Sequence, residues 1–501
     1  MKNKRRFISH TFNIVLSCFF VLLSTTFTWS QKHFDFNKNC EDAYEAIIAL
    51  NFTEGKRLLE AEKSLRPQNL IPIYLENYID CLPILFNGNP NDYQQAKSKV
   101  AERLKLMSEG DKESPWYLFT QASIRFQWAA SQLRMNDLTS GGLDFRRSYL
   151  LLSENSKKHK AFSPNQALLG LEEAIIGTIP DSYRWLARIL GLKGDLKNGI
   201  SKVKQVAQAH QNEILGDDAV FYYSYLDFYL GKNRDEVWRF INQQNLDLKN
   251  QLLFNYMAAN FAIDDNQSQK AISILNSRNQ SSQYLHIHFF DFLLGVAYAN
   301  NIDDRCVKLL EKFTKNYNGN IFVKTAHQKL SLFYTAKQQT SKAREERNRI
   351  LQVGTAQFDS DKQAERFAKK NIAPNAFIIQ ARLKNDGGYI QESFNILNKI
   401  KPSTLSSEAD LLEYYYRYGS VYRKLNNPKG AVLFYEKCIE IGQSSQEQFA
   451  ARSALELGEL YEEQKNYRLA RHFYHLCLSM KNHDFQSAID QRAKSGLARL
   501  S

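Results

Sequence analysis

Two stretches near the C-terminal end of the chain carry the same pattern of small, aromatic and polar positions, 39 residues apart. Gly419, Tyr422, Ala431, Tyr435 and Cys438 recur as Gly458, Tyr461, Ala470, Tyr474 and Cys477. The internal gaps of three, nine, four and three residues have a mechanical meaning. A small residue and a tyrosine one turn apart share one face of a first helix, and the nine-residue step crosses a short turn. Small, aromatic and small residues then line one face of a second helix. The pattern predicts antiparallel helical hairpins in which glycine and alanine allow close approach while tyrosine fills the space toward the next hairpin. Such a hairpin cannot bury its apolar face alone, so several must stack.

Fainter copies run upstream. Ser331, Tyr334 and Ala343 keep the first two gaps, and Gly295 with Tyr298 precedes Cys306 at the small position of a second helix. Ala258, Phe261, Ala271 and Leu275 fit with one residue added, and Gly55, Leu59 and Pro67 fit a second helix that follows Asn51 and Phe52. Between them, Pro115 to Gly216 departs from the pattern. There Pro180, followed by Asp181, suits a helix start, while Gly191 and Gly194 suit its end, which predicts a bend near 177–194.

The segment Ser407 to Met480 resembles the tetratricopeptide repeat family, whose units place a small residue, tyrosine, alanine, an aromatic residue and alanine at the same gaps. Both units here are longer, through extra residues around Gly442 to Glu447, and both lack the family's closing proline. The resemblance implies an all-α, right-handed solenoid of antiparallel hairpins that binds other proteins and performs no catalysis. The expected organisation is a leader over 1–30, degenerate hairpins over 31–114, a divergent helical segment over 115–216, degenerate repeats over 217–403, and two well-formed repeats with a closing helix over 404–501.

Composition supports an array. A length of 501 residues exceeds the usual single core, and only 10 prolines and 22 glycines interrupt it, while 32 Phe, 26 Tyr and 5 Trp require burial or a ligand. Lys2, Lys4, Arg5 and Arg6 precede an uncharged apolar run from Phe12 to Phe27, which predicts an export signal cleaved after Ser30. The expected location is therefore periplasmic or envelope-associated, the alternative being an uncleaved anchor. The leader supplies four of the charges behind a formal net charge of +13. The densest basic clusters, Lys157-Lys158-His159-Lys160 and Arg344-Glu345-Glu346-Arg347, are short or interleaved with acids and read as solvated faces, not as a nucleic-acid surface. Peripheral contact with an anionic membrane stays compatible with the charge. Outside the leader, Cys40, Cys81, Cys306, Cys438 and Cys477 show no metal or disulfide spacing and read as core residues.

No phosphate-binding glycine loop, zinc-helix motif or nucleophile elbow appears, so no catalytic residue, cofactor or metal is expected. His472 and His475, with His483 nearby, read as outward-facing, and His286 and His288 as diverging on one helix. The acidic pairs Asp303-Asp304 and Glu462-Glu463 are expected beside inter-helix turns. First helices of such hairpins line a concave surface, which predicts a partner-binding groove that includes Tyr416, Ser420, Arg423, Lys424, Arg452, Glu459 and Glu462. The lysine and asparagine with which some members of the family clamp a terminal carboxylate are replaced here by Tyr416, Ser420, Leu455 and Glu459. The leading reading is thus an exported adaptor for a protein partner. A glycan- or lipid-binding protein with stacking platforms at Trp116, Trp128 and Trp185 is the alternative, ahead of a helical-ring hydrolase with two opposed acids.

Overall fold

A computed structural model describes residues 31–179, 185, 187–231, 233–370 and 373–500. The expected leader over 1–30, and Pro180 and Asp181 of the expected short helix, lie outside them. Among the described residues the chain is helical, with no β-strand beyond one isolated bridge between His33 and Asn69.

The first helices are α1 (Lys38–Ile48), α2 (Phe52–Leu65), α3 (Ile71–Asn87), α4 (Pro90–Ser108), α5 (Pro115–Arg134), α6 (Leu138–Lys158), α7 (Ser163–Gly177) and α8 (Leu196–Gln208). They are followed by α9 (Gly216–Tyr225), which runs on as a π turn to Gly231, and by α10 (Arg234–Gln243), α11 (Leu252–Asp264), α12 (Ser268–Ser277), α13 (Phe289–Asn300) and α14 (Arg305–Asn316). The remainder comprises α15 (Val323–Ala336), α16 (Thr340–Gln352), α17 (Asp359–Lys370), α18 (Ala376–Asp386), α19 (Ile390–Leu397), α20 (Glu408–Lys424), α21 (Pro428–Gly442), α22 (Phe449–Glu463), α23 (Tyr467–Ser479) and α24 (Gln486–Arg499).

Sequential helices pair as hairpins, and their first members touch one another along an inner row, α11–α13–α15–α18–α20–α22–α24. The repeat residues explain this packing. A Cβ on Gly419 would lie 2.5 Å from the Tyr435 ring, and one on Gly458 would lie 2.5 Å from the Tyr474 ring. Each glycine is therefore the slot for the tyrosine of its own second helix. Gly295 plays the same part for Leu310, which is why the pattern fades there without the hairpin being lost. Tyr435 and Tyr474 are wholly buried, Tyr422 and Tyr461 half-buried, and all five described cysteines are buried and free.

The hairpin turns share one geometry that the residue pattern does not announce. Leu50, Asn136, Asn266, Ile302, Gln338, Gly388, Asn426 and Lys465 all adopt positive φ immediately after the first helix. In each case the next residue's N–H closes a bond back onto that helix, as in Asn427 to Tyr422 at 2.9 Å and Asn466 to Tyr461 at 2.8 Å. These are Schellman closures, and only one of the eight positions holds the glycine that would signal it.

The chain curls until its first helices meet its middle. Leu252 N donates to Ala49 O at 3.1 Å, and Leu285 N donates to Leu50 O at 2.8 Å. The Tyr44 and Tyr78 hydroxyls both donate to Asp218, Asn87 binds the backbone of His286 and His288, and the Arg134 guanidinium meets the Tyr317 hydroxyl. One continuous apolar cluster accordingly runs from Cys40 to Ala343, with separate clusters beyond it.

Three local expectations are corrected. His286 and His288 precede α13 in non-helical backbone, so their rings do not diverge but lie 4.7 Å apart. Arg344 to Arg347 is not a fully solvated face. The interposed helix α17 packs against α15 and α16, so that Glu346 and Arg347 are buried, Glu346 bonding His327 at 2.6 Å and Arg347 lying over Phe367. Nor do the tryptophans form a shared platform. Trp116 stacks on Phe36 and Trp128 on Tyr93 inside the core, because α5 packs between α3 and α6, and Trp185 is exposed apart from them.

Candidate partner-binding channel

The inner row of helices, with the end of α9 and the start of α10, borders an open channel of about 1610 Å³, lined from Tyr225 to Arg499. All seven residues expected in the groove, Tyr416, Ser420, Arg423, Lys424, Arg452, Glu459 and Glu462, line this one space. They come from α20 and α22, whose inward faces are fixed by the burial of Gly419 and Gly458 against their tyrosines.

The seven differ in role. Tyr416 is buried and forms floor, with its ring against Phe449 and Tyr435. The Arg452 guanidinium stands over that ring, 5.1 Å from its centre, and makes no ion pair among the described residues. Arg423 pairs with Glu456 and Glu463, both at 2.6 Å. Glu459 accepts from Arg492 at 2.9 Å, and burial raises its pKa against the attraction of that arginine. Glu462 binds Arg499 and accepts from the Tyr474 hydroxyl. Ser420 lies 3.4 Å from the Asn385 side chain. Lys424 Nζ donates to Asn266 Oδ1 at 2.9 Å and to Asn385 Oδ1 at 2.8 Å. Its partial enclosure draws the amine down to about 8 against the pull of Asp386, with Arg417 adding to the fall.

Sequence reasoning missed the deeper wall. Arg417 bridges Glu413 at 3.1 Å and Asp386 at 2.8 Å, Arg382 grips the same Glu413, and Lys329 donates to Asn300. Burial lowers the Lys329 pKa, whereas Asp386, although burial opposes it, is held below its ordinary value by Arg417, Lys329 and Arg382. A signal for this wall exists in the spacing. The pairs Arg382–Glu413, Asp386–Arg417, Arg423–Glu456 and Glu459–Arg492 are separated by 31, 31, 33 and 33 residues, one hairpin along the row. Opposite charges recurring at the hairpin period thus form a ladder between inner helices.

Toward α9 and α13 the lining changes to aromatic and aliphatic. Phe292 stacks on Phe322 at 5.0 Å, Tyr256 on Phe289 at 6.3 Å, and Tyr225 on Tyr229 at 5.9 Å. The channel therefore has an aromatic stretch, a stretch where Lys329, Lys424 and Arg452 leave positive charge in excess, and a final stretch rich in Glu456, Glu459, Glu462 and Glu463.

Residues 412–442 match the tetratricopeptide repeat. The matched segment contains most of α20 and the whole of α21, the hairpin that carries Tyr416, Ser420, Arg423 and Lys424. No curated protein matches the sequence.

Elsewhere, no group of three or more His, Cys, Asp or Glu is placed to hold a metal ion among the described residues. His472 and His475 are exposed on α23, and His483 is buried apart from them with Nδ1 against the Asp484 carbonyl. Asp303 accepts from Arg305 N at the start of α14, whereas Glu462 and Glu463 sit at the end of α22 and belong to the charge ladder.

Proposed function

We propose that this chain is an exported, non-enzymatic scaffold of the cell envelope whose inner channel holds an extended segment of a partner protein. The observation that carries this reading is the channel itself. Its 1610 Å³ exceeds the several hundred to about 1000 Å³ typical of small-molecule sites, and successive inner helices line it, as an extended polypeptide requires. Tyrosine and arginine dominate its charged stretch, and these are the residue types that anchor protein interfaces.

The chemistry narrows the partner. Arg452 stands on Tyr416 without a counter-charge among the described residues, and Lys424 has given up part of its hydration. Arg452 is poised for a carboxylate and Lys424, its three donors held by Asn266 and Asn385, adds positive charge to the same stretch, while the Tyr256–Phe292 stretch suits apolar side chains. The partner segment is thus one that sets acidic residues beside apolar ones.

A photo-reactive side chain placed at Ser420, in the envelope of the producing cell, should cross-link a partner, and Arg452→Glu with Lys424→Glu should reduce that yield at least about tenfold. The same reactive group at His475, on the outer layer, should give none. A cross-link from His475 but not from Ser420 would reject the channel. Export is read by sequencing the mature N-terminus, expected at Gln31; a start at Met1 would show that no leader is removed.

A further inference from the structure

The outer surface near α6 carries apolar side chains that the fold leaves uncovered. Trp185 is 57 % exposed, Ile189 70 % and Leu143 53 %, and Leu150 and Leu190 are exposed as well. They form one patch. Leu143 and Leu150 are two turns apart on the same side of α6, and Arg146 between them donates from Nε to Leu190 O at 2.7 Å. A Cβ at Gly191 would touch Leu150, and the Tyr149 hydroxyl donates to Lys193 O at 2.8 Å, which ties the segment after Trp185 onto α6.

The rim of this patch is basic. Arg147, Arg188 and Lys193 are exposed around it, and Arg146 is half-buried at its centre. Among the described residues the neighbouring acids have partners of their own: Asp144 with Arg125 at 2.8 Å and more loosely with Arg147 at 3.7 Å, Asp195 with the N–H of Asn198 at the start of α8, and Glu154 with Lys158. None of the patch residues lines the inner channel. Among the described residues no helix is long and apolar enough to cross a bilayer, so contact would be with the surface.

We propose that this patch docks the solenoid onto an anionic lipid surface, with Trp185, Ile189 and Leu190 entering the headgroup region and Arg146, Arg147, Arg188 and Lys193 facing the lipid phosphates. A tryptophan beside aliphatic side chains inside a cationic rim matches the two phases of such an interface, apolar below and negatively charged above. A protein partner for the same patch would instead require a specific counter-surface.

The test uses the full chain and vesicles of phosphatidylcholine, with or without phosphatidylglycerol, whose acyl chains are brominated to quench nearby tryptophan. Quenching is expected with the anionic vesicles, and Trp185→Phe should remove a distinct part of it, which separates this site from Trp29 in the leader. Arg188→Glu with Lys193→Glu should weaken vesicle binding by roughly tenfold or more, and more salt should weaken the wild type similarly. Because these side chains are exposed, circular dichroism should show unchanged helicity in every variant. Equal quenching of wild type and Trp185→Phe would overturn the proposal. So would a stable dimer, seen by light scattering, that Ile189→Glu disperses, since the patch would then be a protein interface.

Discussion

Gly458 shows how a single position can set a hairpin. Its missing side chain leaves the slot for the Tyr474 ring, which is closed from the other side by Gly496, where an added Cβ would lie 2.4 Å from the ring carbon bearing the hydroxyl. The ring is fully buried and cannot swing away, so Gly458→Ala should destabilise the chain by about 1–3 kcal/mol in urea unfolding, against little change for an alanine at exposed Gly142. Asp218 is a second residue with a readable consequence. Enclosed by α1, α3 and α9, it is raised by burial from the ordinary 3.8 to about 7, although the Tyr78 and Tyr44 hydroxyls donate to it. A carboxyl that holds its proton more tightly when folded costs stability as pH climbs from 3.8 toward 7. The stability of Asp218→Asn relative to wild type should therefore rise across that window and level off above it, gaining up to about 4 kcal/mol. A pH-independent difference between the two proteins would show that Asp218 ionises freely.

At the scale of the helical hairpin, the recurring turn explains why only part of the array is legible in the sequence. Gly419–Tyr435 and Gly458–Tyr474 announce themselves because slot and filler keep their identity. Gly295 with Leu310 makes the same joint from another filler, and the eight left-handed turn residues include asparagine, leucine, isoleucine, glutamine, lysine and one glycine. The backbone hydrogen bonds enforce the geometry whatever the side chain. Non-glycine residues pay for it at about 1 kcal/mol each. Lys465, exposed at φ 59°, is the cleanest test: Lys465→Gly should raise stability by several tenths to about 1 kcal/mol, the gain being trimmed by the extra freedom of glycine in the unfolded chain. That the seven residues point into the channel was readable because inward positions follow from the glycine register. Arg382, Asp386, Arg417 and Arg492 were not, because their roles depend on a partner about one hairpin away.

Across the whole molecule, the curl changes what kind of solenoid this is. An open array unfolds by nearest-neighbour steps. Here Ala49, Leu50, Asn87 and Arg134 bind residues well over a hundred positions downstream, so the hairpins from Cys40 to Ala343 share one core. That portion should behave as one cooperative unit, while α22 to α24, which belong to a separate cluster at the end of the row, should open first. Hydrogen exchange followed by mass spectrometry should show α22 to α24 exchanging sooner than α1 to α3. The reverse order would mean that the curl adds no cooperativity. The channel lies along the inner row, lined from Tyr225 onward, and there its aromatic and charged stretches share one space.

Read alone, the sequence determined the helical hairpin, the register of its small and aromatic residues, and thereby which side chains of α20 and α22 face inward, since these depend on contacts within one hairpin and its nearest neighbour. The closure of the row, the helix α17 that buries Glu346 and Arg347, the charge ladder and the uncovered patch around Trp185 were decided only by the tertiary structure. The closure and the patch depend on elements far apart in the chain, whose distances accumulate from small rotations at every hairpin and leave no periodic mark in the residues. Helix α17 and the ladder join neighbouring hairpins, and the ladder's spacing of 31 to 33 residues gains its meaning only once the inner helices face one another.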